Sequence, residues 1–326
     1  MEKPKVRISV RNLVEFILRS GDLDNSRGSS GDKEAMLKGG RLHRKIQRSM
    51  KGNYQAEVSL KRESEYEDVI IQVEGRADGI FTEDGEFWID EIKGTYGNLQ
   101  AMEAPVPVHR AQAMCYGWIY GEKEGLSQIG IQMTYSHLDT EDTRRFREIF
   151  SMEELKNWYQ KLLDEYHKWI AYSLSWKKER NASMKDLQFP FPYREGQREI
   201  VSGVYHTVSS KKTLFVQAPT GVGKTMSAIF PSVRAIGEGK GETLFYLTAK
   251  TITGTVAWEA FHTLRENGLK FKVTAITAKE KLCFLDSPEC TPEKCPYAKG
   301  HFDRVNDAVY ELWTTEEVYS REVIRA

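Results

Sequence analysis

Long apolar runs are missing from this chain. No window reaches the ~18–20 apolar residues that a membrane-spanning helix needs, so no transmembrane segment is expected. The opening stretch MEKPKVRISVRNLVEFILRS is interrupted by charge throughout and has no apolar centre, so no secretory leader is expected either. Net charge is also missing: 47 Lys and Arg balance 47 Asp and Glu. That balance neither supports nor excludes nucleic acid as a partner, because a local basic stripe suffices. Cysteine is scarce, with four residues, and three of them sit together. This pattern does not suggest a disulfide framework and fits metal-binding thiols in a reducing cytosol better. The expected location is the cytoplasm, at the nucleoid if the source is bacterial. Repeats and low-complexity runs are absent.

What remains is a globular composition, 40% hydrophobic and 29% charged, in 326 residues, enough for two domains. Two patterns divide the chain. Residues 1–176 mix helices and strands. SVRNLVEFILRSGD and DKEAMLKGGRLHRKIQRSM have helical spacing. AEVSLKRE, DVIIQVEG, RADGIFT and EFWIDEIKG alternate as short strands, divided by Gly75 and by EDGE. A helix through VHRAQAMCYGWIYGEKEG, two more strands and a long helix follow, the last opened by a capping box of Ser151 and Glu154. The polar stretch at 177–187 is expected to be a linker. From residue 188 to 326, apolar strands (KTLFVQAPT, ETLFYLTAK, FKVTAITA) alternate with helices, which implies a parallel sheet; Thr314 and Glu317 are expected to open a final helix.

Between the first of these strands and its helix lies APTGVGKT, the context of a phosphate-binding loop. Gly221, Val222 and Gly223 let backbone N–H groups close around phosphate oxygens. Lys224 reaches the terminal phosphates and Thr225 offers a hydroxyl to Mg²⁺. Ala218 stands where the usual first glycine would be. Upstream, Arg194 and Gln197 in FPYREGQREI are candidates for the adenine edge. This loop, the Arg/Gln pair, YLTAKTITG and a following cysteine-rich stretch resemble superfamily 2 helicases of the DinG/XPD type over residues 188–326. The resemblance implies an incomplete first RecA-like domain that binds ATP. It also implies single-stranded DNA contacts at Thr248, Lys250 and Thr251. One departure stands out: no acidic D-E-x-H element follows the loop. The only such string, DEYH at Asp164–His167, precedes it inside an amphipathic helix and is set aside. The chain therefore reads as a fragment, expected to bind ATP without efficient hydrolysis or unwinding.

In the first domain Asp78 is followed by Glu91 and Lys93 in WIDEIKGT. Residues i and i+2 of a strand share a face, so Glu91 and Lys93 point together and Asp78 can join them from a neighbouring strand. Two carboxylates can hold Mg²⁺ or Mn²⁺, and the lysine can orient a water or a phosphate. Asp90 falls on the opposite face. With His43 on an upstream helix and Gln112 and Tyr116 four apart on a later one, this set resembles the RecB-like branch of the PD-(D/E)XK nucleases over about residues 8–172. The resemblance implies a restriction-endonuclease-like αβββαβ fold. It implies metal ligation by His43, Asp78 and Glu91, catalysis by Asp78, Glu91 and Lys93, and DNA placement by Gln112 and Tyr116. Cys115, alone beside aromatic residues, reads as core.

Cys283, Cys290 and Cys295 are spaced C-x6-C-x4-C. Three readings stand: a [4Fe–4S] cluster, which needs four thiolates; a zinc site completed by His301; or small buried thiols. The helicase resemblance favours the cluster, with its fourth ligand beyond Ala326. The whole then reads as an ATP-dependent DNA helicase with a metal-dependent nuclease domain, serving DNA repair or recombination. The competing reading is a non-catalytic DNA-binding module fused to a P-loop ATPase with a structural zinc.

Overall fold

The computed structural model describes residues 3–25, 33–50, 52–249, 251–286 and 289–325, without the side chains of 33–36 and 251–253. It is a mixed α/β protein that divides into two compact units. The first comprises residues 1–171 and 287–309, the second 172–286 and 310–326.

The first unit opens with β1 (Lys5–Ser9), α1 (Val10–Ile17) and α2 (Lys33–Ser49). Ser9 caps α1 by accepting from the Asn12 N–H. Then come β2 (Gln55–Glu65), β3 (Ile70–Glu83), β4 (Glu86–Thr95), α3 (Pro107–Glu124), β5 (Gln128–His137), β6 (Thr143–Ser151) and α4 (Met152–Lys185). The six strands form one mixed sheet in the order β1-β3-β4-β5-β6, with β2 on the other edge of β3. β4 and β5 are parallel, which requires a crossover such as the one α3 provides, and Lys93 lies beside Tyr135 in their register.

Helix α3 is buried on nearly every side from Ala111 to Gly121. Its polar residues there therefore need partners inside the protein. Small residues let neighbours close in: a Cβ on Gly117 would lie 3.5 Å from Ile129 and 3.4 Å from Leu155, so α3 sits between the sheet and α4. The Ser151–Glu154 capping box forms as expected, with Glu154 accepting from Ser151 N–H at 2.9 Å and Ser151 Oγ accepting from Glu154 N–H at 3.2 Å.

Several expectations are corrected here. Gly75 does not divide two strands; β3 runs through it. A Cβ on Gly75 would lie 2.6 Å from Tyr116 Oη, so the glycine serves a close approach of that ring. Residues 177–185, expected as a linker, continue α4. Their Lys, Arg, Glu, Ala and Met favour helix, with neither Gly nor Pro to stop it, and Met184 is buried in the second unit's core. KVRIS, whose strand went unread, is β1.

The second unit contains α5 (Gln197–Ser209), α6 (Lys224–Gly237), α7 (Thr251–Glu266), β7 (Val273–Thr274) and α8 (Lys279–Leu282). Residues 310–315 of α9 (His301–Thr315) and β8 (Val318–Tyr319) also belong to it. Its core gathers Met184, Ile229, Val233, Phe261 and Leu264. The expected parallel sheet is present among the described residues only as the short pair β7–β8. Residues 212–219 and 243–248 belong to no helix or strand. Phe215 is 92% exposed and Leu247 88%, so no neighbouring ladder covers them. Nor do Thr314 and Glu317 open a helix. Thr314 Oγ1 donates back to Tyr310 O at 2.9 Å near the end of α9, and Glu317 pairs with Arg265 at 2.9 Å. No helix among the described residues is long and apolar enough to cross a membrane.

The close fit of Gly75 under Tyr116 yields a prediction. Gly75→Ala lowers stability by ~1–3 kcal/mol through overpacking. Tyr116→Phe in the same chain restores part of the loss, because it removes the atom in the way. Denaturant melts of the two single variants and the double variant check this; additive losses would refute it.

Candidate active site

Four elements of the first unit meet at one place. β4 carries Glu91 and Lys93, two residues apart and on one face. Glu91 is 1% exposed, and Lys93 Nζ reaches its Oε1 at 2.8 Å. β3 supplies Asp78, whose Oδ2 accepts from the Ile92 N–H at 2.7 Å. α2 brings His43, with Nδ1 3.5 Å from Asp78 Oδ1. α3 brings Gln112, whose Oε1 accepts from Lys93 Nζ at 3.0 Å. Tyr116, one turn further, hydrogen-bonds to Gln112 and to the backbone of Arg76. His43, Asp78, Glu91, Lys93, Gln112 and Tyr116, picked from separate motifs, are thus joined through a chain of contacts.

Electrostatics at this place are unusual. Burial first, and the nearby Asp78 charge second, push the Glu91 carboxyl up to about 8, while Lys93 opposes them. Glu91 Oε2 is buried without a hydrogen-bond partner. Burial and the Glu91 charge likewise push the Tyr116 phenol up to about 12. Asp90, on the other face, is fully buried, and its Oδ1 accepts from Thr134 Oγ1 at 2.6 Å and Gln132 Nε2 at 3.0 Å. It locks β4 to β5 and stays away from the Glu91 face, as the strand period requires.

The two carboxylates suit Mg²⁺ or Mn²⁺, the orphaned Glu91 oxygen fits such a ligand, and the imidazole is a softer donor that favours a transition metal. Among the described residues, no three His, Cys, Asp or Glu side chains already stand in metal-ligating positions. Glu91 Oε1 is turned to Lys93 instead.

Two participants escaped the sequence reading. Gln47 of α2 donates to the Asp78 carbonyl at 2.9 Å and to Glu57 at 2.9 Å, holding the helix that carries His43. His109, one turn before Gln112 on α3, lies near Lys93 and bonds to Tyr135 Oη at 3.1 Å. Its spacing from Gln112 was the available signal. Asp164 and His167 are structural: Asp164 accepts from Tyr66 Oη at 2.8 Å, and His167 contacts Asp68 at 2.7 Å. Cys115 is buried, and burial pushes its thiol well up.

In the second unit, Gly221 and Gly223 have φ of +88° and +76°, the left-handed region the loop needs. Lys224, at the start of α6, donates to Ala218 O at 2.9 Å and Pro219 O at 2.7 Å, inside its own loop. Arg194 donates to the Gly221 carbonyl. Gln197 is buried, and a Cβ on Gly223 would lie 2.5 Å from its Nε2. The Arg/Gln pair therefore packs onto the loop. Thr225 Oγ1 accepts from Tyr246 Oη at 3.2 Å. Thr248 is exposed; Lys250 and the Thr251 side chain lie outside the described residues.

The three clustered cysteines do not all belong to one unit. Cys283 belongs to the second unit, whereas Cys290, Cys295 and His301 belong to the first. In the first unit this segment docks on residues 16–25. Asn25 N–H donates to Cys290 O at 2.9 Å, Leu23 N–H to Ala298 O at 2.9 Å, and Phe302 N–H to Gly21 O at 2.9 Å. Gly300 N–H donates to Asp22 Oδ1 at 2.6 Å, and Asn306 to Phe16 O at 2.6 Å. The four do not form a ready ligand set among the described residues, so no chemistry is routed through them.

No family model matches the chain. A probable ATP-dependent helicase of Methanocaldococcus jannaschii is 40% identical to it over 47 residues, 14% of this chain. The match spans 7% of that relative's length. The crystal structure of a protein named SSO0001 superposes on 50% of this chain and 78% of its own, with a TM-score of 0.33 and 20% identity.

The raised Glu91 carboxyl predicts a pH-dependent stability. The folded state keeps a proton until about 8 that an unfolded chain releases near the ordinary 4.5. Stability therefore falls as pH rises through that window and levels off above it. Glu91→Gln removes this component. Melts of both proteins in chelator from pH 5 to 9 are the check: the wild type should lose ground to the variant as pH climbs. Parallel curves would refute it.

Proposed function

We propose that the first unit is a metal-dependent nuclease acting on DNA. The second is the nucleotide-binding part of an ATP-dependent DNA helicase, and together they serve DNA repair or recombination. The observation that carries the nuclease reading is two sets of contacts, His43–Asp78 and Glu91–Lys93–Gln112–Tyr116, which the Asp78 bond to the Ile92 N–H brings to one place. The left-handed glycines and the Lys224 position support nucleotide binding. The short stretch shared with a probable helicase supports a nucleic-acid motor context.

His43, Asp78 and Glu91 would hold Mg²⁺ or Mn²⁺. When bound, the cation supplies an acidified water and a counter-charge for the phosphate. The chain's own groups do the rest. Lys93, steadied by Gln112, presents a cation to a phosphate oxygen. Tyr116 keeps its proton and braces Gln112, and both fix the strand's path. Asp90 holds β4 in register from behind. Thr248, Lys250 and Thr251 are assigned to single-stranded DNA, and Arg194 and Gln197 to the adenine end of ATP. Cys283, Cys290 and Cys295 are assigned to a [4Fe–4S] cluster.

The test is cleavage of labelled DNA with Mg²⁺ or Mn²⁺. Asp78→Ala, Glu91→Ala and Lys93→Ala should each lower cutting by roughly 10²–10⁴-fold. Lys224→Ala should lose ATP binding and leave cutting intact. Cutting that survives in Asp78→Ala and Lys93→Ala would leave a DNA-binding module in place of a nuclease. Metal analysis of protein purified without oxygen tests the cysteines. Iron with sulfide is expected; one zinc and no iron would overturn the cluster and assign the site to Cys283, Cys290, Cys295 and His301.

A further inference from the structure

The imidazole of His109 has an unusual set of neighbours. Its Nδ1 lies 3.1 Å from Tyr135 Oη. That hydroxyl also accepts the Val106 N–H at 2.9 Å. Tyr135 is 1% exposed, and among the described residues these are its hydroxyl's two partners. A buried hydroxyl must place its own proton on an acceptor, and Val106 N–H cannot accept. The proton therefore goes to Nδ1, which fixes His109 in the tautomer with Nε2–H. This second nitrogen has no hydrogen-bond partner among the described residues, and the ring is partly open to solvent. A donor has been oriented and left available.

Two cations, each with a carboxylate partner, lie near it: Lys93 with Glu91 and Arg11 with Glu15. Tyr135 is the register neighbour of Lys93, so its side chain stands on the Lys93 face of the sheet. Gln112, one turn along α3 from His109, holds Lys93. Arg11 of α1 also lies near the ring, tied to Glu15 at 2.7 Å. Burial first, then the Lys93 charge, push the imidazole down to about 4; Glu15 opposes them and Arg11 adds to them. The ring is thus neutral around pH 7 and serves as a hydrogen-bond donor, without the charge of a third cation.

We propose that His109 Nε2–H, flanked by Lys93 and Arg11, forms a phosphate-binding subsite that grips the phosphodiester beside the one being cut. The inference rests on reading this face as the path of a DNA strand. The subsite explains why a partly open imidazole is tautomer-locked by a buried tyrosine. A neutral donor also suits a ligand that must leave after cutting, because it adds direction without adding a strong Coulombic hold.

The test uses the full chain, Ca²⁺ in place of Mg²⁺, and a labelled single-stranded oligodeoxynucleotide. His109→Ala should bind ~10-fold more weakly, as expected for a lost hydrogen bond to a charged group. His109→Gln, whose amide N–H extends about as far as Nε2–H, should recover most of that loss. Replacing single phosphates with neutral methylphosphonates should weaken wild-type binding at one position and have no further effect there in His109→Ala. In Mg²⁺, His109→Ala should raise KM with little change in kcat. Unchanged affinity in His109→Ala, or methylphosphonate losses that persist in full in that variant, would overturn the subsite. Should His109→Ala misfold, the methylphosphonate scan on wild type and His109→Gln decides: no sensitive position in either overturns it. The nuclease reading is judged separately, by whether Asp78→Ala abolishes cutting. Cutting lost in Asp78→Ala beside normal binding in His109→Ala rejects the subsite alone. No cutting by wild type, with binding that depends on His109, rejects the nuclease alone.

Discussion

A carboxyl group taken out of water must either keep its proton or find a cation, and Glu91 is held between those two outcomes. Its side chain is almost fully covered, Lys93 reaches one oxygen, and the other has no partner. The arrangement demands much of its surroundings. Glu91 and Lys93 must share a face, so β4 cannot slip by one residue. Asp90 prevents that slip by bonding to Thr134 and Gln132 of β5 on the opposite face. Helix α3 must lie close enough for Gln112 to steady the lysine, and Gly75 gives Tyr116 the room to follow. Sheet register, helix placement and one missing side chain thus serve the same carboxylate.

The parts of this arrangement that are local in the chain were legible. Glu91 and Lys93 are two apart in a strand, and Gln112 and Tyr116 are four apart in a helix, so spacing alone put each pair on a face. Their meeting with Asp78 and His43 depended on strand order, which the pattern of elements suggested. Gly75 was misread because a glycine that breaks a strand and a glycine that admits a ring look alike until the ring is placed. His109 was overlooked because its meaning lies in Tyr135, a partner across the sheet. Residues 177–185 looked like a linker by polarity, yet polarity is also the signature of an exposed helix face.

The second unit divides along the same line. The glycine turn at 221–223 and the helix that begins at Lys224 are short-range features, and both stand where spacing put them. A parallel sheet is a long-range feature, since each strand needs neighbours that arrive from elsewhere in the chain. The apolar segments around Phe215 and Leu247 have strand-like composition without such neighbours among the described residues. Composition therefore predicted a strand's side chains and could not supply its ladder.

The contacts of residues 16–25 with the segment around Cys290 and Ala298 bear on the order in which this protein can be built. The first unit is interrupted: residues 172–286 separate its two pieces. During synthesis the sheet and α3 emerge early, yet the stretch from Phe16 to Asn25 waits for partners as far along the chain as Asn306. Until then its backbone donors face water. The second unit's glycine turn at 221–223 leaves the ribosome before the first unit is complete, against the usual progression of one domain after another.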